Sequence, residues 1–243
     1  MTQRLTWLSL LLIAMAVGAV RADEFQSDYR HEHFFLVWND AKEPPTFTLG
    51  SKQFGKYPDT LSYQVIDADS RMLAEGEVPL NSRQKITGLS PSPKYLVAAD
   101  PGYNGVTIET AQPYGIVGSR QHPLGLNRPM GCLFLYVPAG CDRFTIVVKS
   151  ASPGEGAWVK VLRPDGGVAN EAEGELDNHT SIGVPVPEEY RGKVWTVQFD
   201  KPKTPKVRLD DLNLFVRGKL APLFVPRKEW AERYGKTVKS GEN

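Results

Sequence analysis

The stretch from Leu135 to Val168, LYVPAGCDRFTIVVKSASPGEGAWVKVLRPDGGV, contains three strand-like apolar runs separated by two turns. It ends in RPDGGV, residues 163–168, which predicts a tight hairpin because proline presets its own φ and Asp-Gly tolerates positive φ. Further along, Trp195, Val197 and Phe199 share one side of a run whose other side is polar. Such alternation is typical of antiparallel sheets that bury one face and leave the other in water.

The same pattern recurs through the chain, with almost no helical periodicity and with 19 prolines and 22 glycines between the runs. In the second half it predicts strands at 132–137, 143–149, 157–163, 182–186, 193–199 and 207–217. The first half contains about seven further runs, which is the size of one immunoglobulin-like unit. We therefore predict an all-β fold class of two tandem antiparallel β-sandwiches.

Composition sets the predicted boundaries between these units. Residues 112–129, QPYGIVGSRQHPLGLNRP, hold three prolines and three glycines with little alternation, which favours a linker. This places one sandwich, of immunoglobulin-like size, at 23–111 and a second sandwich at 130–225. We expect the tail, 226–243, to form a short exposed helix.

The N-terminus is typical of a secretory signal peptide. Arg4 precedes an almost wholly apolar run, Leu5 to Val20, and small or modest residues stand at the positions that a signal peptidase recognises. We expect residues 1–22 to be removed, which leaves a secreted or periplasmic protein without an integral membrane span. The alternative is an uncleaved membrane anchor, for which the apolar run is short.

Charge and cysteine content narrow the function classes. The chain carries a formal net charge of only +1, which argues against a nucleic-acid ligand because a phosphate backbone is met by excess Lys and Arg. An even cysteine count outside the cytoplasm suggests a Cys132–Cys141 disulfide. A straight strand, however, carries Cys132 about 16–20 Å from the turn at 138–140. We therefore favour two small, partly buried thiols.

The segments FLYVPAGCDRFTIVV, VLRPDGGV, GKVWTVQFD and VRLDDLNLFV carry a resemblance to a known family. They resemble the galactose-binding-like jelly-roll domains of secreted bacterial carbohydrate-active proteins. The first half, with LSYQVIDADSRMLAEGEV and KYLVAADPGYN, is similar to the immunoglobulin-like modules often joined to them. The resemblance implies a sandwich fold and a carbohydrate ligand.

Catalytic signatures are missing from the sequence. It has no GxSxG elbow, no HExxH, no P-loop and no nucleotide-cofactor motif. We therefore predict no catalytic residues and no cofactor, apart from a structural calcium ion held by Asp210 and Asp211. The alternative for these two carboxylates is pairing with Lys206 or Arg208. A second metal hypothesis joins His31 and His33, because residues i and i+2 of a strand share a face, with Asp28 as a further ligand.

Sugar binding requires an exposed aromatic ring with polar groups beside it, because the ring stacks on the apolar face of the sugar. Tyr103 and Asn104 in the turn PGYNG are the best candidates, followed by Trp38 and Tyr114 at strand ends or in loops. The strand residues Trp158 and Trp195 are expected in the core.

These observations favour a secreted, non-catalytic protein that binds carbohydrate or another cell-envelope component. One alternative is a polysaccharide hydrolase with loop carboxylates between the sandwiches. Another is an assembly module that contacts envelope proteins through a sheet edge. Protein partners are therefore one of the alternatives.

Overall fold

The computed structural model describes residues 25–240, so the predicted signal peptide lies outside the described residues. The first part of the chain forms β1 (Gln26–Arg30), β2 (His33–Trp38), β3 (Phe47–Lys52), β4 (Leu61–Asp67), β5 (Met72–Val78), β6 (Arg83–Ile86), β7 (Lys94–Asp100), β8 (Gly105–Glu109) and β9 (Tyr114–Val117). The rest forms β10 (Leu124–Val137), β11 (Arg143–Ser150), β12 (Gly156–Leu162), β13 (Val168–Glu175), β14 (Thr180–Pro185), a 3-10 turn (Glu188–Tyr190), β15 (Lys193–Asp200), β16 (Asp211–Gly218), β17 (Leu223–Phe224) and α1 (Lys228–Ser240). The regular structure of the described residues is thus mostly β, with one short helix, as the alternation predicts.

The strands form two antiparallel sheets. The smaller sheet has six strands in the order β17-β9-β2-β7-β4-β5. The larger has eleven strands, with a path β13-β12-β15-β10-β1-β8-β3-β6 and a branch in which β16 pairs with β10, β11 with β16, and β14 with β11. Strands from both halves of the chain therefore belong to one sheet.

The long strand β10 is the branch point of the larger sheet. Its first part, Leu124–Asn127, pairs with β16 and β1, whereas its second part, Gly131–Val137, pairs with β15. Between them Arg128 (φ 52°) and Gly131 (φ 88°) adopt positive φ, and the register with β1 shifts. A bulge bends a strand and re-aims its ends, so this segment serves both parts of the sheet.

The predicted linker, 112–129, contains β9 and the first part of β10. Its prolines and glycines lie at strand ends and at the bulge, positions where a sheet tolerates them. The buried apolar side chains of both halves form one contiguous cluster, in which Phe25 from the N-terminal side lies 5.8 Å from Phe199 of β15 between ring centroids. The core is therefore not divided at 112–129.

Alternation decides which side chains enter this core. In β2 the buried residues are every second one, including Phe35 and Val37, while Phe34 and Leu36 are only half-buried. In the C-terminal half Trp195 is fully buried and lies 5.4 Å from Phe144 between ring centroids, as expected for a core residue. Trp158 was expected there too, but its side chain is half-buried and contacts charged residues instead.

The C-terminal helix α1 is not the exposed element that the sequence suggested. Ala231 on this helix is fully buried in a small cluster with Tyr136 of β10 and Val194 of β15. The helix therefore covers part of the sheet surface. The reason is long-range, because the apolar stripe of the helix meets a strand surface about a hundred residues earlier in the chain.

The two cysteines lie in the described part of the chain and form no disulfide. Cys141 is buried, and its thiol donates to the backbone oxygen of Arg143 at 3.3 Å. This agrees with the expectation that they are two partly buried thiols.

Candidate functional site

Two exposed tyrosines lie against each other at one end of the first-half strands. The rings of Tyr57 and Tyr103 are stacked, with centroids 5.1 Å apart and planes inclined by 27°. Their exposed fractions are 43% and 57%, the highest among the aromatic side chains that the structure describes. We call this pair the tyrosine platform.

The side chain of Asn104 holds together the two loops that carry the tyrosine platform. Its side chain is fully buried, and its Nδ2 donates to the backbone oxygens of Tyr57 (3.2 Å) and Asp59 (2.9 Å). Its Oδ1 accepts from the backbone nitrogen of Phe54 at 2.9 Å. Every polar atom of this amide is therefore used by the two loops, so Asn104, predicted as a ligand-binding residue, holds the loops together and does not face a ligand.

Arg30 connects the platform to the larger sheet. Its Nη2 donates to the backbone oxygen of Tyr103 at 2.7 Å, and its Nη1 pairs with the carboxylate of Asp211. The guanidinium also lies 5.2 Å from the ring centroid of Phe54. His31 meets the ring of Tyr103 edge-on, with centroids 5.9 Å apart. The predicted residues Tyr103 and Asp211 are therefore linked through Arg30, which the sequence did not single out.

A depression of about 860 Å³ adjoins the platform where β1 meets β8 and β10. Its wall includes an ion pair between Lys52 and Asp28, with Nζ and Oδ2 2.5 Å apart. The remaining wall combines apolar side chains, among them Phe25, Tyr114 and Met130, with polar and charged ones, among them Arg30, Asn127 and Asp211. The surface beside the platform thus offers hydrogen-bond donors and acceptors.

The carboxylates predicted to hold calcium are occupied by nitrogen donors. Asn127 Nδ2 donates to Asp211 Oδ1 at 2.7 Å and to Asp210 Oδ1 at 3.3 Å. Arg128 Nε lies 3.4 Å from Asp210, and Arg30 pairs with Asp211. Calcium requires six to eight oxygen ligands, whereas no group of three or more metal-binding side chains occurs among residues 25–240. The geometry offers no support for a metal here.

The histidine pair does not form a metal site either. His31 lies in the turn between β1 and β2 with φ 68°, so the i, i+2 rule for strands does not apply to it. His33 faces the core with an exposed fraction of 1%. Burial lowers the pKa of His33 to about 4, so its imidazole is neutral near pH 7.

Trp38 and Tyr114, also predicted to bind a ligand, are covered by α1. The ring of Trp38 lies 5.4 Å from that of Tyr234, and Tyr114 lies 5.4 Å from Trp230. Both are half-buried. Tyr114 also lines the depression beside the tyrosine platform, whereas Trp38 does not. The structure therefore separates Trp38, but not Tyr114, from the surface around Tyr103.

Sequence reasoning missed Tyr57 and Arg30. Tyr57 follows Gly55 and precedes Pro58, a turn composition that resembles the one around Tyr103. That turn signal could have identified it. Arg30 ends the short strand QSDYR, which lacks a clear alternation of apolar residues. Only the long-range pairing of β1 shows what it contacts.

No helix between residues 25 and 240 combines the length and apolar character needed to cross a membrane. No protein-family model matches this chain, and no curated protein or solved structure matches it. Its function has to be inferred from the geometry of its own residues.

Proposed function

We propose that this is a secreted, non-catalytic protein that binds carbohydrate, such as a glycan of the cell envelope, at the tyrosine platform. The observation that carries the proposal is the stacked, exposed pair Tyr57–Tyr103 on a rigid support. Aromatic rings attract the apolar C–H face of a sugar, and a fixed ring loses little conformational entropy when it binds.

The surroundings of the platform fit a neutral glycan. Arg30 is paired with Asp211, so its charge is compensated. Burial and the nearby Arg30 lower the pKa of His31, which favours a neutral imidazole able to hydrogen-bond a hydroxyl group. These groups would orient the sugar, while the rings supply the contact area.

The wider proposal concerns processing and organisation. Residues 1–22 act as a signal peptide, and the protein functions outside the cytoplasm. The chain comprises an immunoglobulin-like half (23–111) and a jelly-roll-like half (130–225). Ring contacts within each half support this organisation. Phe47 of β3 in the larger sheet lies 5.8 Å from Tyr95 of β7 in the smaller sheet, between ring centroids. Phe144 of β11, on the branch of the larger sheet, lies 5.4 Å from Trp195 of β15 on its main path.

The test is retention on a panel of neutral insoluble polysaccharides. We expect the protein to be retained by at least one of them, and Tyr103→Ala to reduce its affinity about tenfold, since such contacts contribute about 1–1.5 kcal/mol. Tyr103→Phe keeps the ring and should retain most of the binding. Absence of retention on every polysaccharide, or equal loss by the Phe and Ala variants, would contradict the proposal.

A second candidate is hydrolysis of polysaccharide. Burial, and then the charges of Asp210 and Asp211, raise the pKa of Glu155, and a carboxyl whose pKa is raised beside other carboxylates is a feature of the general acid in glycoside hydrolysis. Release of reducing ends that disappears in Glu155→Gln would favour this function. Binding of a polysaccharide without release of reducing ends would favour non-catalytic carbohydrate binding.

A further inference from the structure

The loop between β15 and β16 begins with an uninterrupted basic segment. Residues 201–208, KPKTPKVR, contain Lys201, Lys203, Lys206 and Arg208 and no carboxylate. All four basic side chains are exposed. We call this segment the basic loop.

The basic loop is held in one conformation. Glu173 on β13 accepts hydrogen bonds from the backbone nitrogens of Lys203 (2.6 Å) and Thr204 (2.8 Å) and from the hydroxyl of Thr204 (3.0 Å). The Thr204 backbone contact is the main reason that the pKa of Glu173 is lowered. Pro202 and Pro205 also restrict the backbone. A ligand would therefore meet a preformed loop, which reduces the entropic cost of binding.

The carboxylates around the basic loop are already engaged. Glu173 holds the loop backbone, and Asp200 binds Lys160, with Nζ and Oδ2 2.7 Å apart. Among the residues whose side chains the structure describes, Lys201, Lys203 and Lys206 form no ion pair. The ammonium groups of Lys201 and Lys206 thus remain available to an external anion, while that of Lys203 interacts with the charge of Glu173 and with an aromatic ring.

An aromatic ring lies beside these ammonium groups. Trp158, on the outer side of β12, has Lys203 Nζ 3.5 Å and Lys160 Nζ 3.4 Å from its ring centroid. Its indole nitrogen donates to Glu171 Oε2 at 3.1 Å, which fixes the ring orientation. The attraction of a cation to an indole is weak at a partly exposed position, so an anion can draw Lys203 away from the ring.

We propose that the basic loop and Trp158 form a second ligand site, for an acidic polysaccharide that carries carboxylate or sulfate groups. Lys201, Lys203 and Lys206 bind successive anionic groups. When Lys203 moves to an anion, a sugar ring stacks on the exposed part of Trp158. This site is separate from the tyrosine platform, which fits neutral glycans.

A glycan fits this site better than a nucleic acid does. The formal charge of the whole chain is +1, too low for the broad positive surface that a phosphate backbone requires. A short row of lysines beside one indole suits a chain in which charges and apolar ring faces alternate. DNA binding is therefore a competing outcome of the test.

The experiment measures the affinity of the protein for soluble polygalacturonate, with dextran as the neutral counterpart, at about 0.15 M NaCl, where long-range charge effects are screened. We expect binding to polygalacturonate only. Lys201→Gln/Lys203→Gln should weaken it about tenfold, because each exposed ion pair contributes up to about 1 kcal/mol. Lys42→Gln/Lys85→Gln removes the same charge from exposed positions outside the basic loop and should leave the affinity unchanged.

The contribution of Trp158 is separated with polyphosphate, which has charge but no sugar ring. Trp158→Ala should weaken the binding of polygalacturonate and leave the binding of polyphosphate unchanged. Trp158→Phe, which keeps an aromatic ring, should bind polygalacturonate about as well as the wild type does. Equal losses in the two lysine double variants, equal effects of Trp158→Ala on both polymers, or tighter binding to DNA would each overturn the proposal. None of these results bears on the tyrosine platform, because its test uses neutral glycans and other residues.

Discussion

Two aromatic pairs of this protein have opposite surroundings. Tyr57 and Tyr103 stack at a loop surface and remain exposed, with ring centroids 5.1 Å apart. Trp38 and Tyr114 instead lie beneath α1, against the rings of Tyr234 and Trp230. In the sequence Tyr103, Trp38 and Tyr114 look alike, since each follows or precedes a turn.

The difference between the pairs is made by distant segments. Buried Asn104 ties the loops of Tyr57 and Tyr103 into a rigid, open surface. By contrast, a helix from the C-terminal end of the chain covers the other pair. Whether an aromatic residue is a binding surface or a packing surface therefore depends on what the rest of the chain places over it.

The largest expected effect is that of Asn104→Ala. It leaves the partly buried backbone oxygens of Tyr57 and Asp59 and the nitrogen of Phe54 without their partner, at a cost of about 1–3 kcal/mol for each group. Urea unfolding measures the loss, and glycan retention should fall with it because the platform loses its support.

The matched control for this variant is Asn178→Ala. Asn178 is exposed, so its replacement should change the free energy of unfolding by less than about 0.5 kcal/mol. A similar loss of unfolding free energy in the two variants would contradict the account, because Asn104 would then not be the residue that holds Tyr57 and Tyr103 in place.

The second-largest expected effect is the loss of stability at low pH caused by His33. This residue is buried and contacts Tyr29 and Phe35. Its pKa is about 4 in the folded protein, whereas an unperturbed histidine has a pKa of 6.5. The unfolded chain therefore binds a proton first as the pH falls. Stability should be constant above pH 6.5 and decline towards pH 4, by about 3 kcal/mol from this group.

Urea unfolding at several pH values checks this decline. Carboxylates also titrate in the range, so the informative quantity is the difference between the wild type and His33→Leu, which should lose the His33 contribution. His179→Gln, at an exposed position, should keep it. An identical pH dependence in the wild type and His33→Leu would show that His33 is accessible to protons when folded.

A smaller loss of stability is expected when the packing around Trp38 and Tyr114, the covered pair, is disturbed. Trp230→Ala removes the half-buried ring against Tyr114 and should cost about 2 kcal/mol, less than a fully buried tryptophan. Glycan retention should persist because the tyrosine platform is untouched. Glu229→Ala, exposed on the same helix, should be near neutral. Loss of glycan retention in Trp230→Ala at unchanged stability would mean that the covered pair, not the exposed one, contacts the glycan.

The smallest effect on stability is expected for Tyr57→Ser. Because 43% of Tyr57 is already exposed, its replacement should cost under about 1 kcal/mol in thermal or urea unfolding. Its effect on glycan affinity should be larger than its effect on stability. The reverse ranking would assign Tyr57 to packing.

Much of the fold could be predicted from local pattern. Alternation located β11 and β15 to within about one residue at each end, because each buries one face. It missed β13, VANEAEGE, an edge strand whose exposed glutamates give no apolar period. It also assigned β9 and the first part of β10 to a linker, because proline and glycine occur at strand ends, at bulges and in linkers alike.

Less of the candidate site could be predicted. The turn around Tyr103 identified one residue of the platform, but the stacking of Tyr57 on it depends on loops that Asn104 joins. Similarly, the sequence indicated Asp210 and Asp211 but not the residues that contact their carboxylates. Arg30 and Asn127 reach these carboxylates only because β1 and β16 flank β10, a pairing between distant segments that no local pattern contains.

The most direct test is an NMR titration of the protein with a soluble oligosaccharide from a neutral polysaccharide that retains it, following the aromatic side-chain resonances. Ring signals of Tyr57 and Tyr103 should shift, together with those of His31, while those of Trp38, which packs against Tyr234 of α1, stay in place. Shifts confined to Trp38 would contradict the account, because the glycan would then bind the region that α1 covers.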